Sequence, residues 1–284
     1  GIIIPSISSA CARRLLEGNM KKVLICLAAL LLLALPLAAC SKNTGTGGDN
    51  GVDMTVKTTG QYYTAEGEYA DRFEYEYVNG DEVAITGFSA SYVPHDVTVP
   101  SIIDERPVTE IAKRAFYNAT NILSVTLPEG VRSVGDLAFA NCSAMTKVVL
   151  PATVTTIGEA AFSDCTYLKE ITLPAGLQKL GGKMFYNCKS LVTMTLPAAI
   201  TVVPAQTFMS CERLKTVTLA EGTTEIGDSA FLCCPLLETV NLPETLSAIG
   251  DYAFAECPKF PTPTLPESVK LGTNVFYNKP QENA

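Results

Sequence analysis

The sequence lacks tryptophan and contains a single histidine, His95, among its 284 residues. One histidine rules out a metal site built from several imidazoles and disfavours catalysis that depends on histidine. Positive charge is also scarce, because 21 Lys and Arg stand against 29 Asp and Glu, for a net charge of -8. Such a chain is poorly suited to nucleic acid, whose binding depends on Lys and Arg that neutralise phosphates. We therefore expect no nucleic-acid partner, no metal and no cofactor.

Charge is absent from one segment near the amino terminus. A basic pair precedes the uncharged apolar run 23–39, and Cys40 follows directly. This order is typical of a secretory signal, and the run is slightly short for a membrane helix of about 20 residues. The string Leu37-Ala38-Ala39-Cys40 resembles the bacterial lipobox, which implies that Cys40 is lipidated. The sequence predicts a lipoprotein signal peptide over 20–39, with an uncleaved membrane anchor as the alternative.

The segments on either side of this signal are given separate roles. Met20 opens a typical signal with the string MKK, so we expect residues 1–19 to be an upstream artefact of the reading frame. The alternative is a genuine extension of 19 residues. Residues 40–60 begin with a stretch rich in Gly, Thr and Asn, which predicts a flexible linker between the membrane and the folded part.

The rest of the chain is dominated by an internal repeat. Phe recurs every 23 residues from Phe116 to Phe254, Leu from Leu127 to Leu265, and Cys from Cys142 to Cys257. Three ladders in one register are typical of a solenoid, in which units too small to bury an apolar face stack into one continuous core.

One unit, Ser143–Cys165, shows the elements that we expect in each coil. The alternation Val148-x-Leu150 predicts a short strand, which Pro151 ends because proline has no N–H for a ladder. Gly158 then permits a turn into the string EAAF, for which we expect at most one helical or 3₁₀ turn.

The predicted fold class is an α/β solenoid made mostly of short β-strands, with an amino-terminal β-hairpin cap. We assign the cap to residues 61–96, the solenoid to 97–279 and a tail to 280–284. The cap contains Asn79-Gly80 between alternating runs, a strong hairpin signal. Its tyrosines have a second interpretation as an adhesive aromatic patch, but an uncovered solenoid end would aggregate, which favours capping.

The repeat carries four motifs: L-P, V-x-x-I-G, A-F-x-x-C and L-x-x-V-x-L-P, as in the segment from Leu150-Pro151 to Leu173-Pro174. This pattern resembles the BspA-like leucine-rich repeat family of bacterial surface proteins, over about 97–277. Departures are local: Pro204 replaces the turn glycine, and the last unit is one residue shorter and contains the string Phe260-Pro261-Thr262-Pro263. The resemblance implies adhesion, or contact with host proteins or partner cells.

Two regular rows of side chains invite a chemical role. We interpret the cysteine ladder as buried structural thiols, because free Cys packs as a small hydrophobe, with a disulfide or a redox role as alternatives. The acidic row comprises Asp136, Glu159, Asp228 and Asp251. We expect these carboxylates to cap the following turn rather than to bind calcium.

The predicted ligand-binding surface is the outward side of the first strand of each coil and its flanks. Threonine dominates the central position, and charges that vary between coils stand beside it. The predicted binding residues are Lys147, Lys169, Glu170, Thr172, Thr195, Lys215 and Thr218. The alternative is that this face is merely solvated.

The functional hypothesis is a non-enzymatic, exported lipoprotein that binds a protein or other macromolecule, a glycan included, and touches the membrane only through Cys40. The second hypothesis is a structural cell-envelope component that binds an envelope protein or polysaccharide. An enzyme is the least supported class, because no set of residues interrupts the repeat register apart from a short insertion near Asp104-Glu105-Arg106.

Overall fold

The computed structural model describes residues 73–88 and 95–278 of the chain. All of them belong to the second of two compact units, Met54–Ala284, into which the chain divides. The predicted signal, Cys40, the linker, the tail and parts of the predicted cap lie outside the described residues. Within these ranges the backbone forms short strands and turns and contains no helix. The predicted solenoid of about 23-residue coils is confirmed, without the helical component that the α/β class includes.

Seventeen strands occur in the described part of the chain. In chain order they are β1 Phe73–Val78, β2 Glu82–Phe88, β3 Asp96–Thr98, β4 Ile102–Ile103, β5 Arg106–Ile111, β6 Ser124–Thr126, β7 Ser133–Val134, β8 Lys147–Val149, β9 Thr156–Ile157, β10 Lys179–Leu180, β11 Thr193–Thr195, β12 Val202–Val203, β13 Thr216–Thr218, β14 Glu225–Ile226, β15 Thr239–Val240, β16 Ala248–Ile249 and β17 Lys270–Leu271.

The amino-terminal end is covered by a hairpin. Strands β1 and β2 pair antiparallel around Asn79 and Gly80, whose φ angles of 52° and 85° both fall in the left-handed region. Because Val78 pairs with Glu82, residues 79–81 form the turn, and both left-handed residues are the Asn-Gly pair that marks a hairpin in the sequence,. Strand β2 then pairs in parallel with β5, so the hairpin extends the sheet across the end of the solenoid. The predicted hairpin cap is confirmed.

The coils stack through parallel strands on two faces. Strands β3-β6-β8 and β11-β13-β15 form the first, which we call the Thr face, together with the segment 170–172 between them. The second face comprises β5-β7-β9-β10 and β12-β14-β16-β17. Most partners along the stack are 23 residues apart, as in Thr193 with Thr216, and the register falls to 22 at Ala248 with Lys270, where the last unit is shorter.

The second face is interrupted at one proline. In the other coils the residue after the strand donates its N–H to the preceding coil, as Gly181 does to the Ile157 carbonyl at 2.9 Å and Gly227 to that of Val203 at 2.8 Å. Pro204 occupies the equivalent position and has no N–H to donate. The sheet accordingly breaks between β10 and β12. The Thr face also breaks, at 170–172, where nothing in the sequence marks the interruption.

The core is built around the phenylalanine ladder. Seven rings, from Phe116 to Phe254, stack on one another with centroid separations of 4.9 to 6.1 Å and interplanar angles of 2 to 15°. All seven are buried, as the periodicity predicts. The hairpin continues the ladder, because Phe88 packs against Phe116 at 5.3 Å.

The segment predicted to hold a helical turn is a ladder of turns instead. Alternate N–H groups donate to the next coil: Leu137 to the Glu159 carbonyl, Phe139 to that of Ala161, and Asn141 to that of Ser163, each at 2.8 Å. Leu137 and Asn141 have φ angles of 58° and 61°. The left-handed residues turn their amides along the solenoid axis, so hydrogen bonds between coils replace those of a helix.

The glycine of each repeat is required for a reason beyond the predicted turn. A Cβ on Gly158 would lie 2.5 Å from the backbone N of Asp136, and one on Gly181 would lie 2.3 Å from the carbonyl carbon of Gly158. These glycines are therefore required by the close approach of one coil to the next. The prediction that Gly158 serves to permit a turn is incomplete, since the contact with the neighbouring coil excludes every side chain.

Candidate binding face

The Thr face presents two registered columns of threonine. Strands β11 and β13 pair Thr193 with Thr216 and Thr195 with Thr218, and β15 adds Thr239 to the first column. Successive side chains of a strand point to opposite sides, so the residues between these threonines face inward and are buried,. Neighbouring strands lie about 4.8 Å apart, so the columns form a flat, uncharged lattice.

The hydroxyl groups of this lattice differ from those of several other threonines in the solenoid, which bond to a neighbouring coil. Thr153 donates to the Val131 carbonyl at 2.8 Å, and Thr224 donates to the Thr201 carbonyl at 3.2 Å, each bonding to the preceding coil. Within the described residues, the hydroxyls of the two Thr-face columns have no hydrogen-bond partner. The lattice therefore keeps its donors and acceptors available to a ligand.

The structure places all seven predicted binding residues at exposed positions of the Thr face and its flank. Lys147 begins β8, Thr195 ends β11, Thr218 ends β13, and Lys215 immediately precedes β13. The remaining three, Lys169, Glu170 and Thr172, lie in or beside the segment without a strand. The expectation that Thr172 continues a strand row is wrong, because the sheet is interrupted there.

Sequence reasoning missed the first column of the lattice. Thr193, Thr216 and Thr239 recur at the repeat spacing two residues before the chosen row, and this periodicity was the available signal. The predicted row of Thr172, Thr195 and Thr218 does not continue into the next coil, where Asn241 takes the equivalent position. Asn241 turns to the backbone of Leu219, accepting its N–H at 2.6 Å and donating to its carbonyl at 3.1 Å, so it replaces a strand partner instead of facing a ligand.

The six ladder cysteines are buried and free, in agreement with the structural interpretation. Each thiol donates to the phenylalanine carbonyl of the preceding coil, as Cys165 Sγ does to Phe139 O at 3.2 Å. The same carbonyl accepts the backbone N–H of Cys142 at 3.2 Å. Cysteine fits this site because it combines a small apolar volume with a weak donor. The ladder cysteines are Cys142, Cys165, Cys188, Cys211, Cys234 and Cys257.

Burial also makes these thiols poor nucleophiles. Desolvation raises the pKa of Cys142 to about 12 and raises the pKa of Cys165 and Cys188 well above the ordinary value. The thiolate is the reactive form, so it is scarce near neutral pH. Among the described residues no group of three His, Cys, Asp or Glu side chains is placed to hold a metal ion.

The acidic row serves the stacking of coils rather than a helix. Asp136 Oδ1 accepts the N–H of Glu159 at 2.9 Å, and Asp228 Oδ1 accepts that of Asp251 at 2.8 Å. The partner is therefore a donor one coil further on. The predicted capping of the carboxylate's own turn is wrong, because no helix follows and the free N–H belongs to the neighbouring coil.

The insertion near residue 104 belongs to the cap. Asp104 and Glu105 form a tight turn between β4 and β5, with φ angles of 48° and 62°. Asp104 Oδ2 accepts hydrogen bonds from the hydroxyls of Tyr75 at 2.7 Å and Tyr77 at 2.6 Å. The bond to Asp104 is the main reason why the pKa of Tyr77 rises to about 12. The insertion therefore pins the hairpin to the first coil.

This geometry agrees with a family match. The model of the BspA type leucine rich repeat region, in six copies, matches residues 95–212 and 180–283. The chain belongs to this family. It is built from the repeats that the Phe and Cys ladders mark, and the leucine-rich repeat proteins of this family are generally non-enzymatic scaffolds, which suggests a protein-binding solenoid.

Solved structures resemble the solenoid over most of its length. The leucine rich repeat protein of T. pallidum is 32% identical and aligns with a TM-score of 0.66 over 69% of this chain and 91% of its own. A leucine-rich repeat protein from Bacteroides ovatus is 27% identical, with a TM-score of 0.59 over 73% of this chain and 61% of its own.

Among curated proteins, none matches this chain. No helix in the described ranges is long and apolar enough to cross a membrane.

Proposed function

We propose that this protein is a non-enzymatic, lipid-anchored surface protein that binds a macromolecular partner through the Thr face. The observation that carries the proposal is the pair of exposed threonine columns whose hydroxyls are left unused by the fold. A flat surface of this kind suits an extended partner better than a small molecule, which prefers a concave site. Specificity comes from the charges beside the columns, since charges at an interface tune encounter and selectivity.

The test is a paired substitution on the Thr face. Thr195→Arg with Thr218→Arg should leave the fold intact, because both side chains point outward, and should weaken binding by at least about tenfold. The matched control is Val202→Arg with Glu225→Gln, which changes net charge equally at two exposed and registered positions on the second face. Circular dichroism verifies the fold. Unchanged affinity in a folded Thr-face variant would move the site, first to the tyrosines of the cap.

The kind of partner is decided by what the protein captures. Purified host matrix proteins and intact candidate partner cells are presented to it in parallel. Binding to either supports an adhesive role. Binding only to the envelope of the producing cell would favour the structural envelope role and contradict adhesion.

The anchor is tested separately, since Cys40 lies outside the described residues. Cys40→Ser should abolish labelling by a radioactive fatty acid and leave an unprocessed precursor. Persistent labelling would contradict the proposed lipid anchor at Cys40 and would leave the proposal for the Thr face unaffected.

A further inference from the structure

A concentration of positive charge borders the Thr face of this otherwise acidic protein. Five cations and two carboxylates lie along the corner that leads into β8, β11 and β13, and we call this strip the basic edge. It comprises Lys147, Lys169, Glu170, Lys189, Glu212, Arg213 and Lys215. Glu212 is paired with Lys189 at 2.9 Å. Within the described residues, the other four cations have no ion-pair partner.

The backbone fixes the spacing of these cations. Val192 donates its N–H to the Lys169 carbonyl at 3.3 Å, and Lys215 donates to the Val192 carbonyl at 2.8 Å. Lys169 and Lys215 therefore stand two coils apart on one row, about 10 Å from each other along the axis. The neutral Val192 lies between them, and the row ends at Glu238 one coil beyond Lys215. Two cations at this spacing can pair with two anionic groups of an extended linear polymer.

An aromatic ring lies at the same edge. Tyr167 is the most exposed of the large apolar and aromatic residues described, with 61% of its surface accessible. The equivalent positions in the neighbouring coils are Ala144 and Ser190, so no large side chain covers the ring from either side. Arg213 occupies the same row two coils later. A tyrosine ring offers an apolar face and a polar hydroxyl, the combination that binds a sugar ring.

We propose that the basic edge and the adjoining threonine columns bind an anionic polysaccharide, a linear chain of sugars that carry carboxylate or sulfate groups. Lys169, Arg213 and Lys215 pair with the acidic groups, Tyr167 packs against a sugar ring, and the threonine hydroxyls meet the sugar hydroxyls. The inference rests on the proposed function and names the partner of that same face. An acidic peptide would satisfy the cations but would leave the ring and the hydroxyl lattice unexplained.

The first experiment compares probes on the purified full-length protein in mild detergent. Heparin oligosaccharides, which carry both carboxylate and sulfate groups, represent the anionic glycans, maltodextrin oligosaccharides of matched size provide neutral sugars, and polyglutamate provides charge without sugar. We expect heparin to bind at least about tenfold more tightly than either control, with an affinity that falls as salt is added. Equal binding of polyglutamate or of maltodextrin would overturn the proposal.

The second experiment locates the site. Lys169→Glu with Lys215→Glu should weaken heparin binding by at least about tenfold, because two attractive pairs become repulsive. The matched control is Lys179→Glu with Lys270→Glu, which changes net charge equally on the second face and should alter affinity by no more than about twofold. Equal losses in both variants would mean nonspecific attraction and would overturn the proposal.

Single changes at two positions test the chemistry of recognition. Tyr167→Ala should weaken binding several-fold while Tyr167→Phe retains it, because the ring supplies the contact. Glu170→Gln should strengthen heparin binding, since it removes the carboxylate that follows Lys169 in the basic edge and has no ion-pair partner among the described residues. A protein partner that pairs a positive charge with Glu170 would instead bind the Glu170→Gln variant more weakly. Loss of affinity in Glu170→Gln would therefore contradict the glycan assignment.

The failure of this inference is distinguishable from that of the proposed function. If heparin does not bind but cells are still captured, and the Thr195→Arg with Thr218→Arg variant loses that capture, the binding face stands and the anionic glycan is excluded. If enzymatic removal of acidic glycans from the cells abolishes capture, the inference is supported.

Discussion

The two ends of the solenoid solve the same problem with different means. At the amino-terminal end the hairpin of β1 and β2, which is irregular between Glu74 and Tyr75, pairs with β5 and buries Phe73 and Tyr75 against the first coil. At the other end the described residues 260–278 form no strand on the Thr face, and β17 consists of two exposed residues. Leu271 in β17 is 53% exposed.

The difference lies in the hydrogen bonds that each end supplies. The cap adds the pairing of two longer strands and the bonds of two tyrosines to Asp104, whereas the last coil has only the two-residue β17 and backbone hydrogen bonds such as that of Phe254 N–H to the Val275 carbonyl at 2.9 Å. Phe260 and Phe276 both pack on Phe254, with centroids at 4.6 and 5.6 Å. A terminal coil has a neighbour on one side only, so the carboxyl-terminal end should open first.

The largest expected effect concerns the phenylalanine ladder. Phe162→Ala in a central coil should lower the free energy of unfolding by about 3–5 kcal/mol through lost burial and a cavity, and Phe116→Ala under the cap should cost nearly as much. Phe276→Ala should cost about 1–2 kcal/mol, because its ring is only half-buried. Urea titration followed by circular dichroism measures all three. Equal losses at Phe276 and Phe116 would contradict the asymmetry of the ends.

The next effect concerns the attachment of the cap. Asp104→Ala should lower stability by about 1–3 kcal/mol, because two tyrosine hydroxyls lose their acceptor. The matched control, Glu105→Ala, changes the neighbouring exposed residue of the same turn and should cost no more than about 0.5 kcal/mol. If the two substitutions have equal effects in thermal unfolding, the tyrosines do not fix the hairpin.

A smaller effect is expected in alkali. The pKa of Tyr77 is raised from 10.0 to about 12, so the folded state keeps the proton that the unfolded state has released. This contribution to stability is complete below pH 10 and is lost as the pH rises from 10 to about 12,. Urea titrations across this range should show less pH dependence for Tyr77→Phe than for the wild type. An identical pH profile would show that the hydroxyl of Tyr77 is not coupled to folding.

The smallest effect is kinetic and needs no substitution. In the native protein Cys257, near the open end, should react with an alkylating reagent before Cys142 and Cys188, because the last coil opens at lower cost. Mass spectrometry after timed quenching reads the order. As a control, denatured protein without reductant should be labelled at Cys142, Cys165, Cys188 and Cys211. Labelling of Cys142 first would reverse the inferred order of opening.

Much of this architecture was predictable because the sequence repeats at a fixed spacing. A residue that recurs at 23-residue spacing occupies the same place in every coil, so the Phe ladder identified the core and the Asn79-Gly80 pair identified the hairpin. The threonines Thr195 and Thr218 were predicted to be exposed for the same reason, since each follows a buried strand residue. The first threonine column has the same periodicity as the predicted row of Thr172, Thr195 and Thr218, so the sequence contains the signal for both.

Other features depend on what one coil meets in the next. Gly158 is required because of its contact with Asp136 in the neighbouring coil. The carboxylate of Asp104 accepts hydrogen bonds from Tyr75 and Tyr77, which precede it by 29 and 27 residues. The interruption at Pro204 was visible as a departure from the repeat, but its consequence was not. Only the stacked backbone shows that the missing N–H falls in the ladder between β10 and β12.

The sequence by itself determined the coil length, the buried rows and the position of the cap, because these follow from periodicity and from local turn chemistry. Tertiary structure alone decided that left-handed residues replace the helical turn, that carboxylates such as Asp136 bond to the next coil, and that Lys169 and Lys215 share an edge with an uncovered Tyr167. The physical reason is the same in each case. Hydrogen bonds and charges act between coils, and their partners are set by stacking rather than by neighbours in the chain.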